Sequence, residues 1–160
     1  MNPVHHGATM RHRLVLVLIF LAASVGACAS LGPPYPDFIN LTDSSLYPFS
    51  SAVRSGPYLF LSGQIGTKVV NGTPALVPGG IEAETKQTFE NIKAILEKGN
   101  SSLDRVIKCT VMMADMAEWP KMNDIYATLF KGKKPARSAF GATGLALGAR
   151  VEIDCIALVK

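Results

Sequence analysis

The segment 150–159 constrains the fold more than any other: Val151, Ile153, Cys155, Ala157 and Val159 alternate with Glu152, Asp154, Ile156 and Leu158. Successive side chains of a strand point to opposite sides of its sheet, so this pattern describes a strand with one dry face and one mixed face. The same parity places Leu59, Leu61 and Ile65, then Ile107, Cys109, Val111 and Met113, with the dry set. Phe60, Ser62, Gln64, Lys108, Thr110 and Met112 fall with the mixed one. The dry set should pack under helices. The mixed set is too apolar for water and too polar for a dry core, so a partner subunit is the expected cover, and Glu152 falls near that interface.

Between these strands the apolar period changes. Over 82–98, Thr85, Phe89, Ile92 and Leu96 share one helical face, and Gly99 is predicted to stop the helix in the left-handed conformation. A second helix is predicted over about 117–130, with Trp119, Met122, Tyr126 and Leu129 as a core stripe and Pro120 in its first turn. Further strands are read at Ala52-Val53 and Tyr58–Ile65 around the turn Ser55-Gly56-Pro57, and beside the turn Asn71-Gly72. With strands at 106–113, 136–142 and 150–159, the fold class is α+β, two helices on one face of a mixed sheet.

The N-terminus reads as export. Arg11, His12 and Arg13 precede the apolar run Leu14–Ala23, which is followed by small residues, the order of a secretory signal peptide. A run of that length is too short for the roughly 30 Å hydrocarbon core of a bilayer. Val25-Gly26-Ala27-Cys28 resembles a bacterial lipobox, which makes Cys28 the candidate lipidated residue, with ordinary cleavage after Ala29 as the alternative. The expected organisation is a signal peptide at 1–27, a Pro- and Ser-rich flexible tether at 28–46, and one domain at 47–160. The expected location is periplasmic, or lipid-anchored to a bacterial membrane through Cys28.

Removing this leader takes Arg11 and Arg13, which lowers the formal net charge from +4 to about +2. Neither charge nor motif points to nucleic acid as a partner. All 3 histidines, His5, His6 and His12, also leave with it, so histidine-assisted Ser or Cys catalysis and a zinc site are not expected. Cys109 and Cys155 read as buried small hydrophobes rather than a bridge, because no disulfide-scaffold spacing is present.

The remaining chemistry is concentrated in Lys134-Pro135-Ala136-Arg137-Ser138-Ala139-Phe140 and Gly148-Ala149-Arg150-Val151-Glu152-Ile153-Asp154. A guanidinium on one strand and a carboxylate on the next can hold a substrate carboxylate and direct a water.

These segments, with Pro48–Val53, Leu61–Ile65, Gln87–Leu96, Val106–Val111, Asn123 and Tyr126, resemble the RidA/YjgF/UK114 family in order along residues 48–160. The resemblance implies a chorismate-mutase-like fold, a homotrimer with intersubunit clefts, no cofactor, and hydrolytic deamination of enamine or imine intermediates of the 2-aminoacrylate and 2-iminopropionate type to 2-keto acids. It also implies that Arg137 grips the substrate carboxylate and that Glu152 orients water with help from a backbone carbonyl at Ala139. By the same resemblance, Ser62, Asn123 and Phe49 are expected to line that cleft. Two departures stand out: Phe49 replaces a tyrosine frequent in the family, and Ala139 a frequent cysteine.

Competing readings remain. The trimer can be a noncatalytic binder of small carboxylates, Arg137 can form an intersubunit salt bridge with Glu152, Ser62 can serve only its turn, and Asn123 can be an exposed helix residue. Ribonuclease activity, associated with some relatives, fits the modest charge and missing histidines least.

Overall fold

The computed structural model describes Met1, residues 36–42 and residues 47–160. The predicted leader, Cys28 and most of the tether lie outside the described residues. Within the tether range, however, Asp37–Ile39 form a strand, β1, which pairs antiparallel with β2, Ala52–Ser55. Three residues without periodicity carry no readable signal; β1 is held by backbone pairing at the edge of the sheet.

The main sheet continues through β3 (Tyr58–Leu61) and β4 (Gln64–Ile65), then β7 (Val106–Met113), β8 (Ala136–Gly141) and β9 (Val151–Leu158). Its order is β1-β2-β3-β9-β7-β8, with β4 also on β9. The long strand β9 is central, antiparallel to both β3 and β7, whereas β8 runs parallel to β7 on the outside. A separate hairpin joins β5 (Thr67–Val70) to β6 (Thr73–Leu76). Asn71 and Gly72, at φ 50° and 80°, form the two-residue turn between them, as that dipeptide favours.

Both helices, α1 (Gly80–Lys98) and α2 (Trp119–Leu129), pack on the dry face. Phe89, Ile92, Ile95 and Leu96 of α1 meet Val111, Val151, Ile153 and Ala157 in a core where each is at most 1% exposed. Phe89 also stacks edge-on with Tyr126 and Phe130, at centroid distances of 5.5 and 5.7 Å, an arrangement that joins the helices. The buried hydroxyl of Thr85 donates to the Ile81 carbonyl. Asn91 donates to the carbonyls of Ile65 and Thr67, tying α1 to β4 and β5.

Four sequence expectations change. Gly99 closes α1 at φ −81°, while Asn100, at φ 55°, takes the left-handed position. Ser101 N–H then bonds Leu96 O and Asn100 N–H bonds Glu97 O, the paired closure of a Schellman motif. Glycine is needed at 99 for space: a Cβ there would lie 2.4 Å from Leu59 Cδ2. Second, an irregularity between Val106 and Lys108 turns Val106 inward and leaves Ile107 40% exposed. Third, a register shift at Ser62-Gly63 pairs Gln64 with Ile153 and Ile65 with Glu152, which moves Ile65 to the mixed face. Both are bulges, which displace parity by one residue.

The fourth change is covalent. Cys109 and Cys155 are register partners on β7 and β9, with Cα atoms 4.1 Å apart, and form a disulfide on the dry face. Both cysteines are fully buried, yet they are bonded; strand pairing brings together residues 46 apart in sequence.

The mixed face carries Phe38, Tyr58, Phe60 and Phe140, all exposed, with Ile156 and Leu158 half-buried between them. An apolar surface of this kind is the mark of an interaction face.

Candidate active site

Arg137 stands on β8 in register with the buried Cys109, so its side chain emerges on the helix side of the sheet. There Nη2 donates to Asn123 Oδ1 at 2.9 Å. The guanidinium carbon lies 4.5 Å from the Tyr126 ring centroid and 5.6 Å from that of Trp119. Positions 119, 123 and 126 recur at helical spacing, so one face of α2 supplies all three contacts. A stacked cation of this kind gains about 0.5–2 kcal/mol, depending on desolvation.

The partners orient Arg137 without neutralising it. Asn123 is a neutral acceptor. Burial pushes the Tyr126 phenol above its usual pKa, against the opposing pull of Arg137, so the ring beneath the cation stays uncharged at neutral pH. Among the described residues the ion pairs are Lys93–Glu90, Arg150–Glu84 and Arg150–Glu118, and Arg137 is in none. It borders a cavity of about 330 Å³. Ala139 lies two residues further along β8, on the same side and half-buried.

Glu152 occupies the other face. It pairs with Met112 of β7 and with Ile65 of β4, and it is half-buried. Its carboxylate rests over Gly63, where a Cβ would lie 2.0 Å from Oε1. Ser62 Oγ donates to Ser50 O at 2.7 Å, and Ser62 N–H to Ser51 O at 3.0 Å. This holds the Ser62-Gly63 bulge against the segment that carries Phe49, which is 55% exposed. The Ser62 proton is thereby committed to backbone, while its oxygen can still accept a bond.

A single protomer therefore does not bring the two charged groups together. Arg137 shares a row with Cys109 and Glu152 with Met112, on opposite faces of the sheet. One cluster comprises Arg137, Asn123 and Ala139. The other comprises Glu152, Gly63 and Ser62, with Phe49 next in the chain to Ser50, whose carbonyl Ser62 bonds.

Sequence reasoning passed over two contributors. Gly63 had a signal, an isolated glycine inside a strand pattern, which marks a bulge or a close approach. Glu84 had none, since it adjoins an apolar stripe in α1. Its buried carboxylate accepts the Arg150 backbone N–H at 2.8 Å, while the Arg150 side chain reaches Glu118 at 2.6 Å. Together they fix the start of β9 two residues before Glu152. Among the described residues no group of His, Cys, Asp and Glu is placed to hold a metal ion, and no helix is long and apolar enough to cross a membrane.

Comparison with known proteins agrees with this architecture. A family model described as Endoribonuclease L-PSP matches residues 42–159. The chain is 39% identical over 115 residues to a mouse protein named 2-iminobutanoate/2-iminopropanoate deaminase, covering 72% of this chain and 84% of that one. It is 44% identical over 110 residues to a RutC family protein of Pyrococcus horikoshii, covering 69% and 86%. Among solved structures, YyfA of the Rid family from Yersinia pestis superposes with a TM-score of 0.71 at 35% identity, covering 78% of this chain and all of that one. With the mixed sheet, the two helices on one face and the ordered motifs from Pro48 to Asp154, these matches establish that the chain belongs to the RidA/YjgF family.

Proposed function

We propose that this protein hydrolyses 2-imino acids and their enamine tautomers to 2-keto acids and ammonia. The observation that carries the proposal is Arg137: a half-buried guanidinium, oriented by Asn123 and stacked on Tyr126, with no carboxylate partner among the described residues. Such a group is built to receive an anion bidentately. The mouse relative's printed name supports the same chemistry.

The exposed aromatic face and the open edge of β8 support a homotrimer in which Arg137 of one subunit and Glu152 of the next line a shared cleft. Arg137 fixes the carboxylate next to the imine carbon. Glu152 takes a proton from water as the water oxygen bonds to that carbon. That proton passes to nitrogen to give a carbinolamine; the hydroxyl proton then follows it through Glu152, so the C–N bond breaks as the carbonyl forms and neutral ammonia leaves. Holding both reactants turns a bimolecular encounter into an oriented one. Phe49 offers an apolar wall where a tyrosine would offer a hydroxyl, and the Ala139 backbone carbonyl is retained whatever its side chain. The leader supports an exported protein, periplasmic or lipid-anchored through Cys28.

The test is direct. A dehydratase generates 2-iminopropionate in situ, and the mature protein should accelerate pyruvate formation and deplete a semicarbazide-trapped pool. Arg137→Ala should abolish that acceleration without loss of fold. Carboxylate binding without acceleration by the native assembly would instead establish the noncatalytic binder.

A further inference from the structure

The cavity beside Arg137 holds a second cation that the imine-hydrolase reading leaves unused. Lys134 lines it from the loop before β8, and Tyr126, Ala127, Phe130 and Pro135 contribute apolar wall. Among the described residues no carboxylate lines this cavity. A single carboxylate on Arg137 would leave one positive charge beside it uncompensated, and the adjacent Lys131 and Lys133 add to the same field. Two cations bordering one largely apolar cavity match a ligand with two anionic ends on a short carbon skeleton. The two cations also differ in kind. Arg137 offers a planar fork, suited to the carboxylate whose position sets the geometry of the reacting carbon. Lys134 is a flexible point charge, suited to a side-chain carboxylate whose distance need not be fixed. The volume, about 330 Å³, is that of a small-metabolite pocket.

We propose that Lys134 reads a second carboxylate, so that the preferred substrates are 2-imino dicarboxylic acids rather than simple aliphatic ones. This rests on the imine-hydrolase reading of the same site and adds the substrate class.

The experiment supplies two imines from one source, an amino-acid oxidase with catalase. Alanine gives 2-iminopropionate, aspartate gives 2-iminosuccinate, and semicarbazide trapping follows each. The native protein should favour the dicarboxylate in kcat/KM by about tenfold, and Lys134→Gln should collapse that ratio toward unity, through KM rather than kcat. Equal use of both imines by the native protein would overturn the role of Lys134 while leaving imine hydrolysis standing. So would a Lys134→Gln variant that retains the native ratio.

Failure on both imines would remove the hydrolase reading, and calorimetry would then decide the role of Lys134 alone. Binding of 2-oxoglutarate should exceed that of 2-oxobutanoate, with the difference lost in Lys134→Gln. Equal affinities would end the proposal.

Discussion

The carboxylate of Glu152 lies so close over the backbone of Gly63 that it keeps this position only while residue 63 has no side chain: an added Cβ would stand 2.0 Å from Oε1 and 2.9 Å from Cδ. Both obstructing atoms belong to the end of a flexible side chain, so Gly63→Ala should displace the carboxylate and leave the sheet intact. A reactive group moved by an ångström costs about 100-fold in rate. The expected result is a loss of that order in kcat with little change in Tm. Gly66→Ala is the contrasting case, because its Cβ would meet the Glu84 Cα at 2.6 Å; that variant should lose stability first, as measured by denaturant unfolding.

The disulfide should contribute to stability by closing a long loop, an effect that grows with the logarithm of loop length. Cys109 and Cys155 are 46 residues apart, and cross-links of this kind are worth about 2–4 kcal/mol. The double variant Cys109→Ala, Cys155→Ala should unfold at correspondingly lower denaturant. Since neither cysteine is more than 1% exposed, a reductant should leave the folded protein oxidised until unfolding opens the sheet. Thiol quantification along a urea series checks this.

Tyr126 gives a prediction in pH. Its hydroxyl is buried with no hydrogen-bond partner, and burial raises its pKa above the usual 10.0. The folded state thus holds the phenolic proton more tightly than the unfolded chain. The resulting stability is present below pH 10.0 and is lost as pH rises through the folded-state pKa. Tyr126→Phe keeps the ring under Arg137 and removes the unsatisfied group, so it should gain about 1 kcal/mol at pH 7. It should also show a flatter fall in stability between pH 9 and about 11. Unfolding curves at a series of pH values measure both effects.

What was legible in the sequence follows from periodicity. Alternation in β9 and the helical stripe of α1 located the core, because burial imposes those periods directly. The face of Ile65 was misassigned because it follows a bulge and that of Ile107 because it sits in one, and an extra residue disturbs parity without altering composition. Strand register is a tertiary property, so the Cys109–Cys155 bond was invisible even though both residues had been set on the same face. Arg137 and Glu152 were picked out as candidates by their chemistry, and their placement on opposite faces emerged only with the sheet. Trp119 and Tyr126 read as core and do pack there; that their rings also carry the guanidinium depends on where β8 lies.

The separation of Arg137 and Glu152 leads to a complementation experiment. If each active site takes Arg137 from one subunit and Glu152 from its neighbour, Arg137→Ala and Glu152→Ala are each inactive alone, for different reasons. Mixed trimers formed by refolding the two variants together in equal amounts should regain activity. A site is intact when its arginine comes from the Glu152→Ala subunit and its glutamate from the Arg137→Ala subunit, so random assembly restores about a quarter of native turnover. A site contained within one subunit would give none at any mixing ratio. The recovered fraction, read against size-exclusion evidence of intact trimer, therefore distinguishes a cleft shared between subunits from a protomer that acts alone.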